Sequence, residues 1–150
     1  HMDAQYNFVD RYVDRQQVTL MDREQALIVR IKKAPDMAID VHLPHGMWEG
    51  WEWHAEAIRL STGDKLVHDW IELVVDRGET LQQAASVALG EVAAFLDVVV
   101  DAEVRLITKQ QSRWLPFLRP HRVHVLEAKV AGVWRVVIPF EEGLEAGTMI

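Results

Sequence analysis

The sequence predicts an α+β fold, in which a mostly antiparallel β-sheet is packed by one long helix at about residues 80–100. Two observations predict it. Several short segments alternate apolar and polar residues, as half-buried strands do, and one longer segment carries apolar residues at helical spacing. A shorter N-terminal helix and a C-terminal β-hairpin complete the expected fold.

The 150 residues match the length of one domain, so we expect a single globular domain over residues 1–150. Residues 1–2 have the form of an expression-tag remnant. The polar residues 141–150 are expected to form a flexible tail.

The N-terminal segment, residues 4–16, favours a short amphipathic helix, because two pairs of apolar or aromatic residues lie four positions apart. The following segment, residues 19–33, fits two interpretations. Its beginning resembles a helix start, whereas its later apolar residues alternate as in a strand. We favour a strand over residues 26–33, paired across a turn at residues 34–36 with a strand over residues 37–43.

The middle of the chain predicts two antiparallel strands, over residues 51–60 and 66–76, joined by a loop that contains glycine. The alternation of side chains constrains the register, because a slip of one residue would exchange the two faces. We expect Leu60 to lie opposite Leu66, which produces one apolar face for the core and one face rich in His and Glu.

A capping box predicts the start of the long helix. Thr80 supplies a hydroxyl at the N-cap position, and Gln83 supplies an amide three residues later. The helix is expected to end at about Val100. Its apolar stripe contains small residues, which favours a close approach to the sheet. The stripe comprises Leu81, Ala85, Ala88, Val92, Phe95, Leu96 and Val99.

The last third of the chain predicts three more strands. One strand is expected over residues 102–109, followed by a loop over residues 110–120. A final hairpin is expected from residues 122–130 and 133–140. It turns at Ala131-Gly132, where glycine supplies the positive φ that a tight turn needs.

Composition excludes several classes of protein and site. The absence of cysteine excludes thiol catalysis, zinc sites with thiolate ligands, iron–sulfur clusters and disulfides. No apolar run is long enough for a membrane-spanning helix, so we expect no membrane partner. If Met2 is the native start, the polar residues after it leave no signal peptide, and a cytoplasmic protein is expected. We expect no cofactor.

The charge is unevenly distributed along the chain. The net charge of −7 and the pI of about 5.4 argue against a surface built throughout for nucleic acid. Residues 36–101 contain thirteen acidic and three basic residues, a net charge of −10. Residues 105–135 contain seven basic residues and one acidic residue, a net charge of +6. The ordinary interpretation is a solvated surface with two differently charged regions, and the more specific one is a basic docking surface for an anionic partner.

Aromatic side chains interleave with Lys and Arg in this segment, a pattern typical of surfaces that bind acidic peptides or single-stranded nucleic acid. RNP, KH and helix–turn–helix signatures are absent, so an acidic protein partner or self-association is favoured over nucleic acid. Lys129 is expected opposite Trp134 across the final hairpin. The predicted partner-binding residues are Arg113, Trp114, Phe117, Arg119, Arg122, Lys129 and Trp134.

A second hypothesis places an enzyme active site, or a small-ligand or metal site, on the polar face of the central hairpin. The expected register sets His54 opposite Glu72, with Glu56 two residues along the same strand. Carboxylates beside an imidazole favour its charged form, and such a group can act as a general base. The ordinary alternative is a solvated face whose cross-strand ion pairs contribute roughly a few tenths of a kcal/mol.

Two H-x-x-H pairs form a weaker metal hypothesis. His42 with His45, and His121 with His124, have a spacing that shares one face of a helix. Both pairs lie in segments that we do not predict to be helical, and residues three apart on a strand point to opposite faces. Surface imidazoles are therefore the expected interpretation, and no metal site is predicted.

The sequence lacks G-x-G-x-x-G, G-x-x-x-x-G-K-[S/T] and G-x-S-x-G, the signatures of nucleotide cradles and of the nucleophile elbow. These absences argue against an enzyme without excluding one. Together with the charge asymmetry they favour a non-catalytic binding module, which docks a macromolecule through residues 105–135.

Overall fold

A computed structural model describes residues 4–46, 52–72, 80–111 and 121–138. Within them the chain forms two antiparallel sheets and two helical segments. The first sheet has five strands that pair in sequential order: β1 (Val18–Asp22), β2 (Ala26–Lys33), β3 (Met37–Pro44), β4 (Glu52–Arg59) and β5 (Lys65–Glu72). The second sheet contains, also in order, β6 (Val104–Gln111), β7 (His121–Val130) and β8 (Val133–Ile138). The predicted α+β class is confirmed, but the strands divide between two sheets.

The long helix α1 (Leu81–Val99) begins where the capping box predicts. The Thr80 hydroxyl accepts a hydrogen bond from the Gln83 backbone N–H at 3.1 Å, and the Gln83 side-chain oxygen accepts one from the Thr80 N–H at 2.8 Å. These bonds satisfy backbone donors that a helix start otherwise leaves without partners. No helix in the described part of the chain is long and apolar enough to cross a membrane.

Lys33, the last residue of β2, forms hydrogen bonds at the C-terminal end of α1. Its ammonium donates hydrogen bonds to the backbone oxygens of Val100, at 3.1 Å, and Ala102, at 2.7 Å. Burial lowers the pKa of Lys33, although the carboxylate of Asp101 acts in the opposite direction. A cation is favoured at the C-terminal end of a helix, so these contacts attach α1 firmly to the first sheet.

The hydrophobic core lies between α1 and one face of the first sheet. Apolar residues at alternate positions of β2, β3 and β4 point into it, as the period of a strand requires. Trp53 on β4 packs edge-to-face against Phe95 on α1, with ring centroids 5.8 Å apart. Side chains of the second sheet join the same cluster. The largest fully buried side chains include Tyr6, Leu27, Ile31, Ile39, Leu43, Leu96, Leu126 and Ile138.

The predicted short N-terminal helix is present as a 3-10 helix over Ala4–Tyr12, with a kink at Tyr6, and it ends before the predicted residue 16. Its buried apolar and aromatic residues are Tyr6, Val9 and Tyr12. Their spacing of three positions is the period of a 3-10 helix. The prediction counted pairs four positions apart, and one member of those pairs, Val13, is 41% exposed.

The ambiguous segment after it contains a short edge strand, β1. Its five residues pair with β2, from Val18 opposite Ile31 to Asp22 opposite Leu27. The helix start suggested there is therefore wrong. β2 and β3 pair across residues 34–36, as predicted.

The central hairpin has the predicted apolar face but not the predicted register. β4 and β5 pair with His54 opposite Trp70, two positions away from the alignment that sets Leu60 opposite Leu66. A shift of two positions leaves every side chain on its own face. The turn begins earlier than predicted: β4 ends before Leu60, and Gly63 follows with a φ of 76° that favours glycine.

Several predictions concern residues outside the described part of the chain. They involve the tag remnant, both outer ends of the central hairpin, most of the aromatic loop and the C-terminal tail. These residues are 1–2, 51, 73–76, 112–120 and 139–150.

Replacing Tyr12 by Phe is expected to lower the free energy of unfolding by about 1 kcal/mol at neutral pH. The Tyr12 hydroxyl donates a hydrogen bond to the carboxylate of Asp97 on α1, and the variant loses that bond. Burial and the bond to Asp97 raise the pKa of Tyr12 above its ordinary 10.0, although Arg11 acts against them. The stabilisation is therefore complete below pH 10.0 and is lost as the pH rises through the raised pKa.

Urea denaturation of the wild-type protein and Tyr12→Phe, at neutral pH and above the raised pKa, measures this effect. A difference between the two proteins that stays constant over that range would contradict the expectation.

Candidate metal centre

Ionisable side chains occupy alternate positions of β2, β3 and β4, on the face of the first sheet that points away from the core. The register sets Arg30 opposite Asp40, which in turn lies opposite Glu56. Two residues further along β3, His42 lies opposite His54. Directly opposed residues share a face, with Cβ atoms about 4.5–5.5 Å apart. The register therefore brings five ionisable side chains together.

This face differs from the ordinary solvated sheet surface that the sequence predicts. Asp40 is 3% exposed and Glu56 is 5% exposed. Two adjacent buried carboxylates lose hydration and repel each other, so each is stable only with a cation nearby.

Arg30 supplies the cation for Asp40. Its guanidinium donates two parallel hydrogen bonds to the carboxylate, from Nε to Oδ1 at 2.9 Å and from Nη2 to Oδ2 at 2.8 Å. Bidentate pairs of this kind are among the strongest charge-assisted contacts. The bond to Asp40 raises the pKa of Arg30, although burial acts in the opposite direction. The Arg30 guanidinium is therefore charged at neutral pH.

Glu56 has basic neighbours at both carboxylate oxygens. His42 Nε2 lies 2.9 Å from Oε1, at hydrogen-bonding distance. Lys65 Nζ lies 3.4 Å from Oε2, but this buried oxygen makes no hydrogen bond within the described residues. Burial raises the pKa of Glu56, whereas the hydrogen bond with His42 and the charges of His42, Lys65 and His54 lower it. The lowering effects prevail together, so the pKa lies below the ordinary 4.5 and the group is a carboxylate at neutral pH.

His42 and His54 stack, with ring centroids 4.0 Å apart and an angle of 12° between the planes. One nitrogen from each ring and one oxygen of Glu56 all lie within 4.8 Å of one another. Two imidazoles and one carboxylate are the ligand set of many catalytic zinc and non-haem iron centres. The cluster has the chemistry to hold a divalent transition metal and to leave further coordination positions open.

Two of the three residues proposed from the sequence for a ligand or enzyme site, His54 and Glu56, lie together in this cluster. The third, Glu72, pairs with Glu52 in the backbone register, so the expected pairing with His54 is wrong. The Glu72 side chain lies outside the described part of the structure. Sequence reasoning missed His42 as their neighbour, because that contact depends on the register of β3 against β4.

The two H-x-x-H pairs place their described residues at separate locations. His42 belongs to the cluster, whereas the His45 ring contacts the carboxylate of Asp22 at 2.9 Å. On the second sheet, Nδ1 of His124 lies 2.9 Å from the hydroxyl of Thr108. The H-x-x-H spacing therefore does not predict the cluster, because the cluster contains His42 but not His45.

Among the predicted partner-binding residues, Lys129 and Trp134 have described side chains. They lie opposite each other in the register of β7 and β8, with Lys129 Nζ 5.9 Å from the ring centroid. The Arg105 guanidinium, which the sequence analysis did not select, lies 4.0 Å from the same ring. The side chains outside the described part are those of Arg113, Trp114, Phe117, Arg119 and Arg122, and also that of His121.

Comparison of the chain with protein-family models, curated proteins and solved structures finds no match. The chemistry of the cluster itself is therefore the basis for assigning a function.

Replacing Arg30 by Met is expected to lower the free energy of unfolding by about 3–5 kcal/mol, because it leaves Asp40 buried without its cation. Replacing both residues, in Arg30→Met with Asp40→Leu, removes the buried charge as well and should recover most of that loss. Denaturant titrations followed by circular dichroism measure both values. If the single variant matches the wild type, or the double variant is no better than the single one, the buried ion pair does not have this role.

Proposed function

We propose that this protein binds a divalent transition-metal ion through His42, His54 and Glu56. The observation that carries the proposal is the buried carboxylate of Glu56 beside two imidazoles, with one ligand atom from each of the three residues within 4.8 Å of the others. A buried carboxylate is stabilised by a cation. The three proposed ligands lie on β3 and β4, strands whose position is fixed by the packing of their other face in the core.

The distances support an ion with short bonds. With metal–nitrogen bonds of about 2.0–2.1 Å, two ligands at a right angle lie about 3 Å apart. His42 Nε2 and Glu56 Oε1 are 2.9 Å apart, so an ion can replace the proton between them. The third ligand atom, from His54, completes a group within 4.8 Å, which small side-chain rotations would close around the ion.

The ligand types favour Zn²⁺, Fe²⁺ or Co²⁺ over Mg²⁺ and Ca²⁺. Imidazole nitrogen suits the first group, whereas the second group prefers sites made of oxygen ligands. Three protein ligands leave at least one position for water or a substrate. The His42 side chain is 21% exposed, so solvent can reach the cluster from its side.

Wild-type protein is expected to bind one Zn²⁺, or one Co²⁺, per chain at this cluster. His54→Ala and Glu56→Gln should each weaken binding about tenfold or more, since each removes one of three ligands. Competition against a chromophoric chelator measures the affinity for Zn²⁺. The visible absorption of Co²⁺ reports its ligands directly.

His124→Ala is the matched control, because His124 is an exposed imidazole on the second sheet. It should leave the affinity for Zn²⁺ unchanged. The proposal fails if the wild type binds no stoichiometric Zn²⁺. It also fails if His124→Ala weakens binding as much as His54→Ala does.

As a second candidate function, we propose that one face of the second sheet docks an acidic protein segment. Supporting this, Trp134 has the Arg105 guanidinium 4.0 Å from its ring centroid and Lys129 nearby. Glu127, the one acidic residue in the basic segment, is 7% exposed and pairs with Arg105 at 2.8 Å. Its charge is thereby neutralised, and the exposed Lys129 remains beside an aromatic surface suited to a carboxylate-rich partner.

A Glu-rich peptide should change the tryptophan fluorescence of the wild type, less strongly at higher salt, because the attraction is electrostatic. Lys129→Glu should abolish the response. Lys32→Glu, a change of another exposed lysine on the first sheet, should preserve it. If the peptide does not change the fluorescence even at low salt, an acidic protein partner at this surface is excluded. If a single-stranded oligonucleotide binds more tightly than the peptide, nucleic acid is the favoured partner instead.

A further inference from the structure

Lys65 lies against the same carboxylate that we assign to the metal. Its ammonium is 3.4 Å from Oε2 of Glu56, and that oxygen has no hydrogen bond within the described residues. The two side chains differ in exposure: that of Lys65 is 61% exposed and that of Glu56 is 6% exposed. A buried anion is therefore compensated by a cation at the tip of a long, largely exposed side chain.

A bulge in the hairpin places Lys65 there. β4 and β5 pair regularly from Glu52 to Ala57, which lies opposite Val67. The register then shifts, so that Ile58 lies opposite Lys65 and Leu66 is passed over. Without the shift, strict alternation would put Lys65 on the core face of the sheet. The bulge thus directs the Lys65 side chain toward the polar face, where it lies next to Glu56.

We propose that Lys65 is a built-in competitor for the metal site. Its ammonium neutralises Glu56 in the metal-free protein and is displaced when a divalent cation binds to His42, His54 and Glu56. The inference depends on the metal-binding function proposed above. Its physical basis is electrostatic: an ammonium and a divalent ion held by the same carboxylate repel each other, so the presence of one weakens the binding of the other.

Removing the competitor should tighten metal binding. Lys65→Met is expected to bind Zn²⁺ about tenfold more tightly than the wild type, because no attraction between Lys65 and Glu56 has to be overcome when the ion binds. Lys65→Arg keeps the charge and should retain an affinity close to that of the wild type. Lys32→Met is the matched control, an exposed lysine of β2 with the same loss of charge, and its affinity should not change.

A second measurement uses the unmutated protein, and so it stays decisive even if Lys65→Met does not fold. Brief acetylation followed by mass spectrometry compares the labelling of each lysine with and without Zn²⁺. Displacement predicts that Zn²⁺ increases the labelling of Lys65 several-fold and leaves Lys32 unchanged.

The outcomes separate the two proposals. If Zn²⁺ binds in a manner sensitive to His54→Ala, but Lys65 labelling and the affinity of Lys65→Met do not change, the competitor role is overturned and the metal site stands. If labelling of Lys65 decreases, the ammonium is held more tightly with metal, and the competitor role is again overturned. If the wild type binds no Zn²⁺, both proposals are overturned together.

Discussion

The burial of Asp40 and Glu56 side by side on one sheet face is the constraint on which the candidate site depends. Each carboxylate is destabilised by lost hydration and by the charge of the other. The first sheet places a cation on each side of the pair, Arg30 from β2 and Lys65 from β5. The strand order β2-β3-β4-β5 therefore puts the two carboxylates on the middle strands and one cation on each outer strand.

The same strands carry the hydrophobic core on one face and the candidate site on the other. On one face, Val41 and Ala55 are directly opposed and lie in the core beneath α1. On the other face, their chain neighbours His42, His54 and Glu56 come together. Because successive side chains alternate between the faces, tight packing on the core side fixes the backbone from which the three donors project. Sites on packed strands are held more accurately than sites on loops, which suits a metal that tolerates little error in ligand position.

The two cations beside the buried carboxylates, Arg30 and Lys65, are held in different ways. The Arg30 guanidinium is fixed by two parallel bonds to Asp40 and has a side chain that is 29% exposed. Lys65 makes one longer contact with Glu56 from a side chain that is 61% exposed. The planar guanidinium of an arginine can hold a carboxylate through two hydrogen bonds and suits a permanent ion pair. The ammonium of a lysine, on a flexible aliphatic chain, suits an ion pair that can be exchanged. Asp40 thus has a structural partner, and Glu56 has a partner that another cation can replace.

Local patterns predicted much of the fold. The capping residues Thr80 and Gln83 marked the start of α1, and alternation marked the pairing of β2 with β3. Predictions failed at the end of the N-terminal helix, where one of the pairs four positions apart included Val13, an exposed residue beyond the 3-10 helix. They also failed at the β4–β5 register, since a turn at Gly63 and a bulge changed the alignment without changing the faces.

The sequence by itself determined which side chains share a strand face. His54 and Glu56 are two positions apart, and the period of a strand is a local property of the backbone. Tertiary structure decided which residues of other strands meet them: His42 from β3, and Lys65 from β5 at the bulge. It also decided that Glu56 is buried. These contacts join segments distant in sequence, so they follow from the packing and register of whole strands, and short-range spacing does not encode them.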